Sequence, residues 1–261
     1  MSGFFFKTIL GKSLIPITLA SASKNTLHTG FIAAAHALST VDHFGELQAG
    51  ENIGLLVNAA PRYGDENGVK LRGSERKKDG EEIYALKLES GVWVVGPNAG
   101  LNFYFLESQV EESYLVVDQS GMETPFRSLE VMVPALAKVM GINDFPNIVL
   151  KKKPLKVQSP PEGLYVADWD DHGNIYVFPN LPEKQWLPRL DKNIVLKINN
   201  EIGRMRHVDG IFAGRTGELT LTTGSLKLGG RHVYYIVSVG SSAHAHFSRP
   251  EAGTPIYIES E

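Results

Sequence analysis

The sequence predicts an α/β amino-terminal domain followed by a mostly β, barrel-like carboxy-terminal domain. Strand and helix signals alternate as far as about residue 141, which is typical of an α/β layered domain. From residue 163 onward, short β-favouring segments alternate with turn residues and show little helical periodicity, which favours a small barrel or sandwich. Residues 142–162 contain four prolines and a lysine run, which indicate a linker. The predicted domains are therefore residues 1–150 and 163–261, with a linker over residues 151–162.

The amino-terminal domain has strand and helix candidates in alternation. Alanine-rich residues 31–38 predict a helix that Asn25 or Thr26 caps. A second helix is predicted over residues 129–140, where apolar residues recur at helical spacing and Gly141 follows the end. The predicted strands are residues 15–20, 53–57, 83–88, 92–95 and 114–118.

The predicted strands of the carboxy-terminal domain are short and separated by glycine-containing turns. They are residues 163–167, 175–178, 195–198, 219–222, 232–239 and 255–258.

Composition excludes several classes of function. The 261 residues include no cysteine, so disulfides, thiolate catalysis and cysteine metal sites are excluded. The net charge is −3, and the basic runs, Arg76–Lys78 and Lys151–Lys153, are only three residues long, which argues against a nucleic-acid partner. No apolar run approaches the roughly 20 residues needed to span a bilayer, so no membrane partner is expected.

The first 22 residues allow two interpretations. Lys7 and Lys12, an apolar stretch at 13–20 and an Ala-Ser-Ala sequence resemble a secretory signal. Pro16 interrupts that apolar stretch, which favours an internal strand. A cytoplasmic location is therefore predicted, with export as the alternative.

Residues 91–100 contain a strand signal that stops at the turn Gly-Pro-Asn-Ala-Gly. Such a turn presents backbone N–H groups and an amide side chain at a sheet edge, where small ligands tend to bind. Asn98 is accordingly a candidate ligand contact, with a turn-forming role as the alternative.

Four segments in order resemble the SAM hydroxide adenosyltransferases (SAM hydrolases), which are relatives of the SAM-dependent fluorinase and chlorinase. Residues 53–64 are similar to the family's "VVDPGVG" turn, and residues 94–100 to "FVGPDNG". Residues 124–137 are similar to "TFHGRDIFAPVAA", and residues 170–174 to "DRFGN". The tail segments 217–225 and 237–243 look like the family's "GELVAL..GS" and "IAVNGGSAA".

The resemblance implies a Rossmann-like amino-terminal domain, a β-barrel carboxy-terminal domain and a homotrimer. SAM lies in that family between the first domain of one subunit and the second domain of the next. The implied reaction converts SAM and water to adenosine and methionine, and it needs no cofactor beyond SAM itself.

The resemblance also shows where this sequence departs from the family's catalytic set. The family organises a water molecule with an aspartate, an arginine and a histidine. Asn58 stands at the aspartate position and Arg127 at the histidine position, while Arg62 or Arg72 replaces the arginine only loosely. The acid that contacts the ribose is also missing, since residues 19–23 at the nearest strand end contain none.

These substitutions affect the nucleophile most. Methionine leaves a sulfonium as a neutral group, so the reaction depends on an oriented, partly deprotonated water. Asn58 can orient a water but cannot accept its proton, and Arg127 is a permanent donor. The predicted function is therefore a divergent SAM-binding protein with a degraded water-activating set. The alternative is a catalytically silent binder of an adenosine-like ligand, or an oligomeric interaction protein.

The ligand-binding positions implied by the resemblance are better preserved. Asp170 can accept from an amine or a ribose hydroxyl, and Asn174 offers a donor and an acceptor to a purine edge. His172 can stack as a flat ring, and Ser225 can bond a ligand carboxylate. A simple turn between strands remains the alternative for residues 170–174, because Asp, Gly and Asn are common turn formers.

Two histidines allow a further interpretation. His244 and His246 would lie on one face of an extended segment and could hold a metal ion. No acidic partner is evident in the neighbouring sequence, so no metal site is predicted.

Overall fold

The protein combines a mixed sheet with a closed seven-stranded β-barrel and has few helices. This computed structural model describes residues 25–44, 54–59, 81–121, 126–228 and 230–259. The chain folds into two compact units. The described residues up to 158 belong to the first unit, and those from 159 onward belong to the second. The predicted combination of α/β structure with a β-barrel is confirmed. The predicted strand over residues 15–20 and the candidate signal segment lie outside the described residues. No helix in the described part of the chain is long and apolar enough to cross a membrane.

Helix α1 (Thr26–Phe44) begins at the predicted cap. The Asn25 Oδ1 atom accepts hydrogen bonds from the backbone N–H groups of Leu27 (2.9 Å) and His28 (3.3 Å). These bonds satisfy donors that have no partner within the first turn of a helix. Phe31 is buried on this helix and packs edge-to-face against Phe105, with ring centroids 6.0 Å apart.

The sheet of the first unit has five strands in the order β1-β3-β2-β4-β5. They are β1 (Gly54–Leu56), β2 (Ile83–Leu88), β3 (Trp93–Pro97), β4 (Val110–Asp118) and β5 (Ile148–Lys152). Among these strands, β1 and β3 are parallel and the other neighbours are antiparallel. The described sheet is therefore mixed, whereas the Rossmann arrangement is mostly parallel.

A helical segment packs its apolar residues against this sheet. Residues Ser128–Met132 form a π-helical turn that leads into α2 (Val133–Val139), as the periodicity predicts. The residues Val131, Met132 and Leu136 share a buried cluster with Val95. The carboxyl end of the helix lies over the start of β1, because a Cβ placed on Gly54 would meet Leu136 Cδ1 at 2.8 Å.

The second unit is a closed barrel with the strand order β10-β11-β7-β6-β12-β8-β9. Its strands are β6 (Gly163–Trp169), β7 (Ile175–Asn180), β8 (Asn193–Ile198), β9 (Glu201–Val208), β10 (Leu219–Leu228), β11 (Arg231–Ser238) and β12 (Pro255–Glu259). Alternate side chains of these strands point inward and fill the barrel, among them Val166, Val177, Leu196 and Ile236.

The parallel pairing of β9 with β10 closes the barrel over three residue pairs. A network centred on Arg206 reinforces this seam. Its Nε donates to Glu218 Oε1 (2.9 Å), and its Nη2 donates to Glu218 Oε2 (3.1 Å). The Nη1 atom donates to Asp191 Oδ1 at 2.7 Å. The bidentate contact joins the strand β9 to the residue that precedes β10.

We expect this network to make the barrel sensitive to acid. The Arg206 guanidinium and the backbone N–H of Arg215 hold the pKa of Glu218 down at about 2. A lowered folded-state pKa stabilises the fold above the unfolded value of 4.5, and this contribution is lost as the pH falls towards 2. Glu218→Gln should therefore lower the melting temperature at pH 7 by about 2 °C, since the pair is partly exposed to solvent. The variant should also lose less stability than the wild type between pH 4.5 and pH 2.

Thermal unfolding followed by circular dichroism across this pH range measures the effect. Glu162→Gln is the matched control, because Glu162 is exposed in the same unit. Parallel stability curves for wild type and Glu218→Gln between pH 4.5 and pH 2 would contradict the assigned role.

Candidate functional site

The carboxyl ends of β1 and β3 form one candidate edge in the first unit. The two strands are parallel neighbours, so the turns that follow them lie side by side. The Val57 N–H donates to the Val95 carbonyl at 2.9 Å. Gly96 allows this approach, because a Cβ there would lie 2.5 Å from the Val57 carbonyl oxygen. The predicted residues Asn58 and Asn98 follow these strands and are thus brought to the same edge.

Asn98 is held by backbone groups on two sides. Its N–H donates to the Glu82 carbonyl at 2.8 Å, and its Nδ2 donates to the Lys156 carbonyl at 2.8 Å. Its Oδ1 atom has no hydrogen-bond partner in the described part of the chain. Asn58 is exposed, and its side chain likewise makes no hydrogen bond to described residues. The edge therefore offers two amide groups that can meet a ligand or a water, and hydrogen bonds orient the one on Asn98.

Arg127 immediately precedes the π-helical turn at Ser128 and is half-buried. The opposite end of that helix lies over Gly54, at the start of β1. Glu130, three residues further along, lines a cavity with Asp118 at the carboxyl end of β4, which runs in the same direction as β1 and β3. The helical segment therefore begins at the carboxyl-end edge of the sheet, beside β4. Arg62 and Arg72 lie outside the described residues.

This edge can orient a water molecule or an anion but lacks a base at its predicted positions. Asn58 and Asn98 are neutral amides, and a guanidinium stays protonated at all physiological pH values. The Glu82 carboxylate is another possible base, but it is paired with Lys153. The Lys153 Nζ atom lies 2.8 and 2.7 Å from the two Glu82 carboxylate oxygens. Such an arrangement favours binding over proton abstraction.

The second candidate region is the loop between β6 and β7 in the second unit. The Asp170 Oδ1 accepts from the backbone N–H groups of His172 (3.0 Å) and Asn174 (2.9 Å). Its Oδ2 accepts from Asn174 Nδ2 (2.9 Å) and from the Tyr176 hydroxyl (3.3 Å). Asp170 thus holds the loop and orients Asn174. The Asn174 Oδ1 atom has no partner among the described residues, and the His172 ring is exposed.

The tail segment braces this loop. The His244 N–H donates to the Gly173 carbonyl at 2.8 Å. The His244 ring stacks on Trp169, with centroids 4.6 Å apart and planes 10° from parallel. Gly173 also packs closely against Ser242, so the segments 170–174 and 237–243, which resemble one family, are in contact.

The interpretation of His244 and His246 as a pair on an extended segment is wrong. The two residues belong to the short helix α3 (Ala243–His246), in which residues two apart do not share a face. The His244 ring stacks on Trp169, and the His246 ring packs against Phe247. The described part of the chain contains no group of three or more metal-binding side chains.

Two tyrosines on the outer face of the barrel were not predicted as site residues. Tyr176 on β7 and Tyr235 on β11 are directly opposite each other in the register. Their ring centroids are 4.7 Å apart, with an interplanar angle of 31°. Both are half-buried, and their strand neighbours Ile175 and Ile236 point into the barrel. The pair thus forms an aromatic surface beside the Asp170 loop.

Ser225 joins this surface through an irregularity in β10. The register between β10 and β11 shifts between Thr223 and Lys227, and such bulges redirect side chains. The Ser225 side chain is exposed and hydrogen-bonds to the Tyr235 hydroxyl. Three of the predicted residues, Asp170, Asn174 and Ser225, therefore lie on one face together with the two tyrosines.

The environment keeps both phenols protonated at neutral pH. Burial raises the pKa of Tyr176, and the negative charge of Asp170 raises it further. Burial also raises the pKa of Tyr235, and the hydrogen bond with Ser225 lowers this pKa in part. Both hydroxyl groups are therefore hydrogen-bond donors to neighbouring oxygen atoms or to a ligand.

Gly173 is required for the packing of the loop on the tail. Its φ angle is +76°, and a Cβ there would lie 2.7 Å from Ser242 Cβ. We expect Gly173→Ala to destabilise the second unit by clearly more than the roughly 1–2 kcal/mol that a left-handed alanine costs. Gly217→Ala is the control, because its φ is +82° and no atom lies within 4 Å of its Cβ position. Urea unfolding of both variants separates the clash from the backbone cost, and equal destabilisation would contradict the packing described.

Comparisons with known proteins support the fold. The sequence matches no protein-family model and no curated protein. A solved structure of an uncharacterized conserved protein from Thermotoga maritima is similar, with a TM-score of 0.62 and 16% identity over 98% of this chain and 95% of that one. A conserved hypothetical protein from Thermus thermophilus has a TM-score of 0.52 and 16% identity over 98% and 93% of the two chains. At these identities the likeness shows the fold alone.

Proposed function

We propose that the protein binds S-adenosylmethionine or a closely related adenosine compound and hydrolyses it weakly or not at all. One observation carries this proposal most strongly. The carboxy-terminal segments that resemble SAM hydrolases lie together on the barrel. Segments 217–225 and 237–243 follow the paired strands β10 and β11, and the loop 170–174, which is distant from them in sequence, contacts the tail through Gly173. A common ligand requires such a shared face.

The groups on this face suit an adenosine ligand. The free Asn174 Oδ1 can accept from an exocyclic amine, and the second hydrogen on Nδ2 can donate to a ring nitrogen. The half-buried rings of Tyr176 and Tyr235 offer aromatic area against which a flat base can pack. Ser225 lies at the margin of the tyrosine surface, and the exposed His172 lies in the Asp170 loop. Both side chains can contact polar parts of the ligand.

Asp170 acts in this proposal mainly by holding Asn174 in place. Its two oxygens accept three hydrogen bonds within the loop and one from Tyr176 on β7, which uses the acceptor capacity of a carboxylate. The longest of these bonds, 3.3 Å from the Tyr176 hydroxyl, is the one that an amine or ribose hydroxyl can replace.

The first-unit edge sets the limit on turnover in this proposal. Asn58 can orient the attacking water and Arg127 adds positive charge, but neither group removes a proton. Loss of a positioned base typically costs about 10² to 10⁴ in rate. The protein is therefore proposed to retain ligand while turning it over slowly.

Further features of the proposal come from the resemblance to the family. They are a Rossmann-like arrangement of the first unit, a homotrimer that places SAM between subunits, a cytoplasmic location and no cofactor other than SAM.

Sedimentation equilibrium tests the trimer: a mass of three chains is expected, and a monomer at micromolar concentration would contradict it.

An interaction role is the second candidate function, and one observation favours it. Phe212 is 99% exposed in the short segment that follows β9, next to the exposed Ile211. This segment is held in place, since the Gly210 N–H donates to Thr222 Oγ1 at 2.9 Å and Arg206 contacts the Ala213 carbonyl. A fixed, exposed aromatic ring is typical of contact surfaces between proteins.

A thermal-shift titration with SAM and with adenosine separates these functions. Stabilisation without formation of adenosine supports the binder, and stabilisation with adenosine formed supports a hydrolase. If neither compound shifts the melting temperature at millimolar concentration, the interaction role is favoured and the proposed ligand is wrong.

A further inference from the structure

Asn102 is a completely buried amide in the loop that follows Asn98. Its Nδ2 donates to the Ala59 carbonyl at 2.6 Å and to the Pro97 carbonyl at 3.0 Å. Ala59 belongs to the turn after β1, and Pro97 is the last residue of β3. A single side chain therefore connects the two turns that carry Asn58 and Asn98.

The orientation of this amide is determined by its partners. Only the NH₂ group can donate to two carbonyls, and the flipped amide would place its oxygen against both of them. In the observed orientation the Oδ1 atom is buried and has no hydrogen-bond partner among the described residues. A buried, unsatisfied acceptor is destabilising, so a residue chosen for stability alone would not leave one here.

Helix α1 covers the same loop and restricts its movement. A Cβ on Gly30 would lie 3.1 Å from the Asn102 carbonyl oxygen, so the helix backbone packs directly on the loop. With the loop supported from behind, the two hydrogen bonds of Asn102 transmit that rigidity to both turns.

We propose that Asn102 is a positioning residue that fixes Asn58 relative to Asn98. This inference rests on the proposed function for its consequence in ligand binding, because Asn58 and Asn98 are the first-unit groups assigned to ligand and water. Its structural part, that Asn102 holds the two turns together, is testable without any ligand.

Hydrogen–deuterium exchange tests the structural part. Asn102→Leu keeps similar volume but removes both donors. We expect exchange in peptides covering 54–59 and 93–98 to accelerate about tenfold or more, while β4 at 110–118 keeps its wild-type rate. Asn102→Ser is a milder second variant, with a smaller effect at the same places, should the leucine variant fail to fold.

Thr26→Val is the matched control. The Thr26 Oγ1 atom is also buried without a hydrogen-bond partner among the described residues, and valine keeps the shape of the side chain that packs against Gly100. Its replacement should leave exchange at both turns unchanged. Unchanged exchange at 54–59 and 93–98 in the Asn102 variants, or equal acceleration throughout the first unit, would overturn the inference.

Calorimetric titration with SAM tests the functional part. The dissociation constant should rise about tenfold in Asn102→Leu and stay at the wild-type value in Thr26→Val. Loosened turns with unchanged affinity would overturn the positioning role. If the wild type itself binds no SAM, the proposed function fails, and the exchange result then decides alone whether Asn102 holds the turns together.

Discussion

Asn174→Ala should weaken the binding of SAM and of adenosine at least about tenfold. Asn174 carries a free Oδ1 acceptor and a spare Nδ2 hydrogen on the barrel face, and each hydrogen bond to a buried ligand group contributes roughly 1 kcal/mol or more. Two such bonds account for the expected loss. Isothermal titration calorimetry gives the ratio of the dissociation constants directly.

The matched control is Asn200→Ala. Asn200 is an exposed asparagine in the turn between β8 and β9, and its side chain makes no hydrogen bond with the described residues. The two variants remove the same atoms from the same unit, so only Asn174→Ala should change affinity. Equal affinities in all three proteins would exclude the Asp170 loop as the binding site.

Restoring an acid and a histidine should produce the largest gain in activity. Asn58→Asp combined with Arg127→His supplies a group that can accept a proton from water, and positioned bases contribute about 10² to 10⁴ in rate. We expect adenosine formation from SAM to rise by a factor in this range. Chromatography of the reaction mixture measures adenosine against the uncatalysed background.

Asn200→Asp combined with Arg189→His controls for the change in charge. Both control positions are exposed in the second unit, and the substitutions introduce the same residue types. This variant should turn over SAM no faster than the wild type. A restored variant that binds SAM but forms no adenosine above background would contradict the assignment of Asn58 and Arg127 to the water-activating positions.

Much of the fold follows from local signals in the sequence. The strand at Ile83–Leu88 has the predicted bounds, and α1 begins at its predicted cap, because apolar runs and capping residues act over a few positions. Two strands were missed for a shared reason. In β5 the lysines and nearby prolines resemble a linker, and in β9 charged residues alternate with Gly203 and Met205, which the barrel buries. Both strands depend on partners distant in sequence.

The candidate site was predictable where its residues belong to turns. Asp170 and Asn174 stand out as turn formers, and the structure shows that Asp170 uses this property to orient Asn174. Tyr176 and Tyr235 were missed because each lies within a run of apolar residues that reads as core. Strict alternation along β7 and β11 would have placed both outside the barrel, since their neighbours face inward. The pairing of the two tyrosines depends on strand register, which the sequence does not reveal.

Equilibrium dialysis of the wild-type protein against isotopically labelled SAM shows directly whether the protein binds this ligand. We expect one saturable site per chain, from which labelled SAM is recovered largely intact, and we expect unlabelled adenosine to compete for it. Retention that does not saturate, or none at millimolar SAM, would contradict the claim that the face formed by Asp170, Asn174, Tyr176, Ser225 and Tyr235 is a nucleoside-binding site.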